Sequence, residues 1–118
     1  MPKKILIVDD DRTTVKLLQT LLEMDGFTVL AAPRGQTALE VAYEYMPDIF
    51  LIDQHLADMR GIDLIAKLRA DPVFAKTPIV MASGLNVQDE ALEAGANLFI
   101  SKPFEPGKLA GIFYGLIG

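Results

Sequence analysis

The chain has 118 residues with no Cys and no Trp, and its 16 acidic and 11 basic side chains give a formal net charge of −5. This length supports one domain, 1–118, that folds without disulfides or a structural metal, and the missing Cys excludes thiol nucleophiles and Cys-ligated clusters. The acidic balance argues against non-specific nucleic-acid binding, while the lack of a readable signal peptide or of roughly 20 consecutive apolar residues favours a cytoplasmic protein outside the membrane.

Five short apolar segments are predicted as strands, with room for a helix after each. In chain order the segments are 4–8, 27–31, 48–52, 78–82 and 97–101. The first, third and fourth are apolar at consecutive positions, which is typical of strands that are covered on both faces.

The segments after four of these strands carry apolar residues three or four positions apart, the spacing of an amphipathic helix. The stripes are Val15, Leu18, Leu21 and Leu22; Ala38, Val41, Ala42 and Tyr45; Leu64, Ile65 and Leu68; and Leu109, Ile112, Phe113 and Leu116. Alternating strands and helices predict an α/β fold with a mostly parallel sheet and helices on both of its faces.

Polar residues follow the predicted strands at the end where such a sheet binds its ligands. Aspartates occupy 9–11 after the first strand, Asp53 follows the third, Ser83 the fourth and Lys102 the fifth. One aspartate, Asp11, is suited to capping the first helix, and capping alone would explain that residue but not the others. Two carboxylates about 4 Å apart repel by roughly 4 kcal/mol at an effective dielectric near 20, so the cluster predicts a bound cation, and Mg²⁺ suits its oxygen ligands best.

The Ser and the Lys fit a phosphoryl group beside that cation. Taken singly, Lys102 reads as a solvated charge and Ser83 as a turn residue. Together with Mg²⁺ they would surround phosphoryl oxygens with a hydroxyl and an ammonium group. Asp53 lies between the acidic pair and the Ser/Lys pair in sequence, and an Asp carboxylate can form an acyl phosphate.

The full set of motifs resembles the receiver domain of two-component response regulators. The set comprises Asp9-Asp10, Asp53, Ser83 and Lys102-Pro103-Phe104, each at a strand end and in this order. The resemblance implies a flavodoxin-like (βα)5 doubly wound three-layer sandwich whose five-stranded parallel sheet has the order 2-1-3-4-5. It also implies that Mg²⁺-dependent phosphorylation switches a protein-binding face.

The resemblance assigns a role to each residue of the predicted metal site. Asp53 is the expected phospho-acceptor. Asp10 and Asp53 are expected to bind Mg²⁺ through their side chains, and Asp9 directly or through water. The backbone carbonyl of His55 is the remaining expected ligand from the protein.

It likewise assigns the residues that respond to the phosphoryl group. Ser83 is expected to move toward the phosphoryl oxygens, Lys102 to pair with them, and Phe99 to be the aromatic whose rotamer follows the hydroxyl. The Lys102-Pro103 peptide bond is expected to be cis. The implied phosphoryl donor is a histidine kinase or a histidine phosphotransfer protein, and the implied output is a downstream protein or a covalently linked domain. A second copy of the chain is a further candidate partner, whereas direct contact of this domain with nucleic acid is not expected.

Several positions depart from the family pattern. Ala57 stands where a proline is usual, leaving the loop less constrained, Leu56 replaces Met, and Arg60 stands where an acid or Gly is common. Ser83 and Gly95 are 12 positions apart, about one helical turn fewer than expected, so a short fourth helix beginning near Val87 is predicted.

Three other functions are weighed against this one. Asp9-x-Asp11 with Ser83 and Lys102 also resembles haloacid-dehalogenase-like phosphatases, but only Glu105 follows Lys102 where that family needs an acidic pair, and Asp53 would have no role. A flavodoxin-like cofactor carrier would need neutral donors in place of the aspartates 9–11. A phosphorylation-independent binding module of the same fold is the third alternative. The resemblance implies no enzyme beyond catalysis of its own phosphorylation and dephosphorylation.

Overall fold

The computed structural model describes residues 2–117, in which five strands alternate with five helices. A 3₁₀ turn, Pro106–Lys108, leads into the last helix. The strands are β1 (Lys4–Val8), β2 (Thr28–Ala32), β3 (Ile49–Asp53), β4 (Ile79–Ser83) and β5 (Leu98–Ser101). The helices are α1 (Arg12–Met24), α2 (Gly35–Tyr45), α3 (Gly61–Ala70), α4 (Gln88–Ala94) and α5 (Leu109–Ile117).

All neighbouring strands pair in parallel, in the order β2-β1-β3-β4-β5. This is the flavodoxin-like topology that the resemblance implied, and it confirms the predicted fold class. After β1 the chain first adds β2 on one side and then adds β3, β4 and β5 on the other side. The carboxyl ends of β1 and β3 therefore lie side by side at the point where such sheets bind ligands.

Four strands differ by one residue from the prediction: β2, β3 and β4 each begin and end one position later, and β5 begins one position later. The sheet pairing extends through their last residues. Asp53 pairs with Ala82, and Ser83 pairs with Ser101. Both polar residues are therefore held by strand backbone rather than by the loops that follow.

Helices cover both faces of the sheet. Leu18 and Leu22 of α1 join Leu109 and Phe113 of α5 in one core cluster, and α2, α3 and α4 cover the other face. The predicted stripe of α2 is wrong at Tyr45, which is 44% exposed. The helix ends at Tyr45, and Met46 adopts a left-handed conformation with φ of 51°, so the apolar stripe stops one turn earlier.

The fourth helix has seven residues, about two turns, and Val87 is its N-cap. Only Ala91 of α4 is buried. Gly95 ends the helix at φ of 120°. A Cβ atom there would lie 2.4 Å from Cγ of Arg69, so the close approach of α3 as well as the backbone conformation requires a glycine. None of the helices within residues 2–117 has the length and apolar character needed to cross a membrane.

The half-buried guanidinium of Arg69 links four segments at the amino end of the sheet. Its nitrogens donate to the carbonyl oxygens of Gly95, Phe74 and Thr77 at 2.9, 2.8 and 2.7 Å. They also donate to Oδ1 of Asn97 at 2.9 Å. Arg69 thereby connects the end of α3 with the β4 approach, the α4 terminus and the start of β5.

Candidate functional site

Three aspartates meet at the carboxyl end of the sheet. One carboxylate oxygen from each of Asp9, Asp10 and Asp53 lies within 4.8 Å of the other two. Asp9 and Asp53 are buried, whereas Asp10 is exposed. Burial raises the pKa of the Asp9 carboxyl above its usual value, against the opposing effects of the Asp11 N–H and Lys102. The site therefore holds concentrated negative charge that favours a cation.

Lys102 approaches two of these acids from the end of β5. Its Nζ lies 3.4 Å from Oδ2 of Asp9 and 3.1 Å from Oδ1 of Asp53. Burial by itself would lower the Lys102 pKa, but hydrogen bonds and charge attraction from Asp53 and Asp9 outweigh it and raise that pKa. The Lys102-Pro103 peptide bond is cis.

The backbone holds the second oxygen of each buried acid. The Asp11 N–H donates to Oδ1 of Asp9 at 2.9 Å, and the His55 N–H donates to Oδ2 of Asp53 at 3.2 Å. Each buried carboxylate is thus fixed between one amide and the ammonium of Lys102. Asp11 also accepts from the N–H groups of Thr13 and Thr14 as the N-cap of α1, so capping accounts for this residue and the remaining acids form the site.

The start of α3 lies directly against the predicted acceptor. A Cβ atom on Gly61 would lie 2.2 Å from the carbonyl oxygen of Asp53, so only glycine permits this approach. The Gly61 N–H donates to the carbonyl oxygen of Gln54 at 2.8 Å. The buried Gln54 side chain in turn accepts from the Ile62 N–H at 3.1 Å. Neither Gly61 nor Gln54 was predicted from the sequence to contribute to the site.

The two predicted switch residues lie on the neighbouring strands. Ser83 is 1% exposed, and its Oγ accepts from the Leu85 N–H at 3.1 Å. Phe99 on β5 is half-buried against the core cluster that contains Met81, its strand partner. The four charged residues of the site contact or closely approach one another, whereas Ser83 holds a loop and Phe99 packs in the core.

The loop after Asp53 has an anchor that the sequence did not reveal. The carboxylate of Asp58 accepts from the N–H groups of Gly35 and Gln36, at the start of α2. His55 and Arg60 form an isolated antiparallel bridge across the base of the same loop. The loop that lacks the usual proline is therefore fixed at its base and at its tip.

The donor set fits a hard divalent cation. Within residues 2–117, the acidic cluster offers only carboxylate oxygens, one of them exposed to solvent on Asp10. Mg²⁺ prefers oxygen ligands and retains several of its waters, which suits an open site with few protein ligands. Asp9, Asp10 and Asp53 could hold such an ion.

The sequence profile of the response regulator receiver domain matches residues 5–113. The phosphate regulon transcriptional regulatory protein PhoB of Pseudomonas aeruginosa is 36% identical over 110 residues, which cover 91% of this chain and 48% of that protein. The chain thus spans about half the length of this curated relative.

Solved structures agree with the sequence comparison. A CheY-like response regulator receiver domain protein from Methanospirillum hungatei superposes with a TM-score of 0.90 at 28% identity, covering 98% of this chain and 93% of that one. The receiver domain of a sensor histidine kinase from Pseudomonas aeruginosa, described with a magnesium ion coordinated in its active-site cleft, superposes with a TM-score of 0.90 at 26% identity, covering 100% and 99%.

These similarities favour one of the functions weighed from the sequence. The relative and the two solved structures are response regulators or receiver domains, which gives no support to a haloacid-dehalogenase-like phosphatase. Receiver domains are signalling domains that act with histidine kinases and output domains. The profile match and the shared topology establish that the chain belongs to the receiver domain family of two-component response regulators.

Proposed function

We propose that Asp53 accepts a phosphoryl group in a Mg²⁺-dependent reaction and that the phosphorylated form changes a protein-binding face. The observation that carries this proposal is the position of Asp53 within the acidic cluster. Its Oδ1 lies 3.1 Å from Nζ of Lys102, and one of its two carboxylate oxygens lies within 4.8 Å of an oxygen of Asp9 and of Asp10. The Asp53 carboxylate thus has cationic and metal-binding neighbours where a phosphoryl group would arrive.

The transfer is a substitution at phosphorus. A carboxylate oxygen of Asp53 bonds to the phosphorus of a phosphohistidine donor while the phosphorus–nitrogen bond breaks. The imidazole nitrogen leaves with the bonding electrons and gains a proton from water. Bound Mg²⁺ would supply positive charge to the phosphoryl oxygens, and Asp9, Asp10, Asp53 and the carbonyl of His55 would hold it. The ammonium of Lys102 then exchanges a carboxylate partner for a phosphoryl oxygen.

The switch follows from the new charge. An acyl phosphate adds acceptor oxygens and negative charge beside Ser83 and Lys102, by analogy with phosphoserine. Attraction of the Ser83 hydroxyl would strain or break its hydrogen bond with the Leu85 N–H, and Leu85 begins the approach to α4. In this proposal Phe99 adjusts its rotamer as β4 and the β4–α4 loop move.

The proposal includes the partners and the compartment. The donor is a histidine kinase or a histidine phosphotransfer protein, and the output is a downstream protein or a covalently linked domain. A second copy of the chain is an additional candidate partner. The reaction is a self-modification rather than turnover of a separate substrate. We place it in the cytoplasm, because the phosphoryl groups of such donors come from ATP.

Intact-mass spectrometry after incubation with Mg²⁺ and acetyl phosphate tests the acceptor. We expect one added phosphoryl group on the wild-type chain and none on Asp53→Asn, whose amide is not a nucleophile. Asp89→Asn, an exposed carboxylate on α4, is the matched control and should be modified like the wild type. An unmodified wild type, or a modified Asp53→Asn, would contradict the proposal. Turnover of p-nitrophenyl phosphate that depends on Asp9 would favour a phosphatase instead.

A further inference from the structure

The segment 54–60, here called the acceptor loop, connects Asp53 to the start of α3. Its base is closed by the Gly61 N–H donating to Gln54 and by the bridge between His55 and Arg60. Within it, the His55 N–H donates to Oδ2 of Asp53. Any shift of this loop would therefore move a group that already orients the acceptor.

The tip of the acceptor loop is attached to a different helix. Oδ1 of Asp58 accepts from the Gly35 N–H at 2.9 Å, and Oδ2 accepts from the Gln36 N–H at 3.0 Å. Arg34, the N-cap residue of α2, supplies no side-chain cap. Asp58 therefore caps α2 from a distance of 23 residues along the chain, and one carboxylate satisfies two N–H groups that the helix itself leaves free.

The next residue strengthens the same attachment. A Cβ atom on Gly35 would lie 2.3 Å from Sδ of Met59 and 2.6 Å from its Cε, so the thioether lies directly over the backbone of Gly35. Gly35 is buried and Met59 is half-buried. The tip of the loop and α2 thus share a polar contact and an apolar contact. Both contacts require the loop to keep one position on α2.

We propose that Asp58 is a positioning residue of the acceptor site: by fixing the acceptor loop on the first turn of α2, it holds the backbone of His55 in place against Asp53. This inference rests on the proposed function, which uses the His55 N–H to orient Asp53 and its carbonyl to hold Mg²⁺. The attachment of Asp58 to α2 takes the place of the proline that is usual at position 57, where this chain has Ala. It restricts the conformations of the acceptor loop through hydrogen bonds instead of through a rigid proline ring. Asp58 itself need not contact the metal or the phosphoryl group.

Three variants test the anchor. Asp58→Ala removes both hydrogen bonds, Asp58→Asn retains one oxygen acceptor, and Gly35→Ala forces Met59 off the helix. Loss of an outer-shell partner typically weakens metal binding by about 10-fold to 100-fold, and we expect roughly the lower value for Asp58→Ala. Asp58→Asn should be intermediate. Isothermal titration calorimetry with Mg²⁺ alone measures these affinities.

Two further readouts separate positioning from general stability. In the metal-free protein, amide hydrogen exchange at His55 should accelerate in Asp58→Ala, as it should at Gly35 and Gln36. The rate of phosphorylation by acetyl phosphate at saturating Mg²⁺ should fall as well. The matched control is Asp48→Ala at the amino end of the sheet, where the carboxylate accepts from the Lys4 N–H at 2.8 Å. That variant should lower the melting temperature but leave the Mg²⁺ affinity unchanged.

The outcomes distinguish this inference from the proposed function. A folded Asp58→Ala with wild-type Mg²⁺ affinity and wild-type His55 exchange overturns the positioning role, even when Asp53 is phosphorylated normally. A wild-type chain that neither binds Mg²⁺ nor accepts a phosphoryl group overturns both. Because Asp58 is exposed, we expect Asp58→Ala to fold. If it does not fold, the Mg²⁺ affinities of Asp58→Asn and Gly35→Ala are compared with that of the wild type instead. Wild-type Mg²⁺ affinity in both variants overturns the positioning role.

Discussion

The carboxyl end and the amino end of the sheet each hold a basic side chain, and the surroundings of these two side chains differ. At the carboxyl end, Lys102 is 29% exposed and its ammonium lies between the carboxylates of Asp9 and Asp53. At the amino end, Arg69 donates only to neutral oxygens of the backbone and of Asn97. Charged partners raise the pKa of Lys102, whereas burial alone lowers that of Arg69.

The difference separates an exchangeable contact from a permanent one. A point-like ammonium among carboxylates can be displaced by another cation or can turn to a new anion, since its attraction depends little on direction. A planar guanidinium with four oriented neutral acceptors has no equivalent alternative partner. The Lys102 environment suits a changing charge, and the Arg69 environment suits a fixed frame for α3, α4 and β5.

The largest predicted effect on stability is that of Arg69→Met. The variant removes four hydrogen bonds, although the Phe74 carbonyl and Oδ1 of Asn97 keep the N–H groups of Thr77 and Ile79 as donors. We therefore expect the free energy of unfolding to fall by about 3 kcal/mol. Urea denaturation with and without Mg²⁺ measures this loss, which Mg²⁺ should not restore. Arg69→Lys should recover only part of it, because an ammonium cannot match the same directions. A loss below about 1 kcal/mol would mean that water replaces these hydrogen bonds.

Lys102→Ala should have a smaller effect that depends on the metal. Without Mg²⁺ the two buried carboxylates lose their cation, so we expect a loss of about 1 kcal/mol, near the upper range for partly exposed ion pairs. Saturating Mg²⁺ should restore most of this lost stability. The variant should also bind Mg²⁺ more tightly than the wild type does. Phosphorylation should still slow, roughly 100-fold, because one stabilising charge on the phosphoryl oxygens is gone. A stability loss insensitive to Mg²⁺ would make Lys102 structural, like Arg69.

The smallest effect is expected at an exposed ion pair, Arg60 with Asp63, whose Nη2 and Oδ1 lie 3.0 Å apart. A hydrogen bond from Arg60 lowers the pKa of Asp63 below its usual 3.8. The pair therefore stabilises the fold above that pH, and its contribution disappears as the pH falls through the lowered pKa. In an NMR titration, Arg60→Ala should return the Asp63 pKa toward 3.8. At neutral pH and physiological salt, stability should hardly change.

The sequence predicted the features that depend on order along the chain. Strand and helix alternation, with polar residues at successive strand ends, leads directly to the parallel sheet and to the meeting of Asp9, Asp10, Asp53 and Lys102. The boundary errors of one residue arose because apolar runs mark where strands are buried, whereas pairing also includes a polar final residue such as Asp53.

The features that depend on distant contacts could not be read in this way. Arg69 looks like an ordinary solvated residue near a helix end, and only the folded chain brings its acceptors together. Asp58 caps a helix that begins 23 residues earlier, so no local capping pattern reveals it. The contact of Gly61 with the carbonyl of Asp53 depends on how α3 crosses the sheet, which no local pattern reveals.

Because α4 is short, its local stability differs from that of the rest of the fold. A helix of seven residues with one buried side chain is far below the length at which helices persist alone. Its helical state is therefore sustained by its neighbours, through the contacts at Gly95 and Ala91. Local unfolding of α4 should require much less free energy than unfolding of the sheet. A signal arriving through the Ser83 loop would need only a modest energy to populate an alternative backbone there.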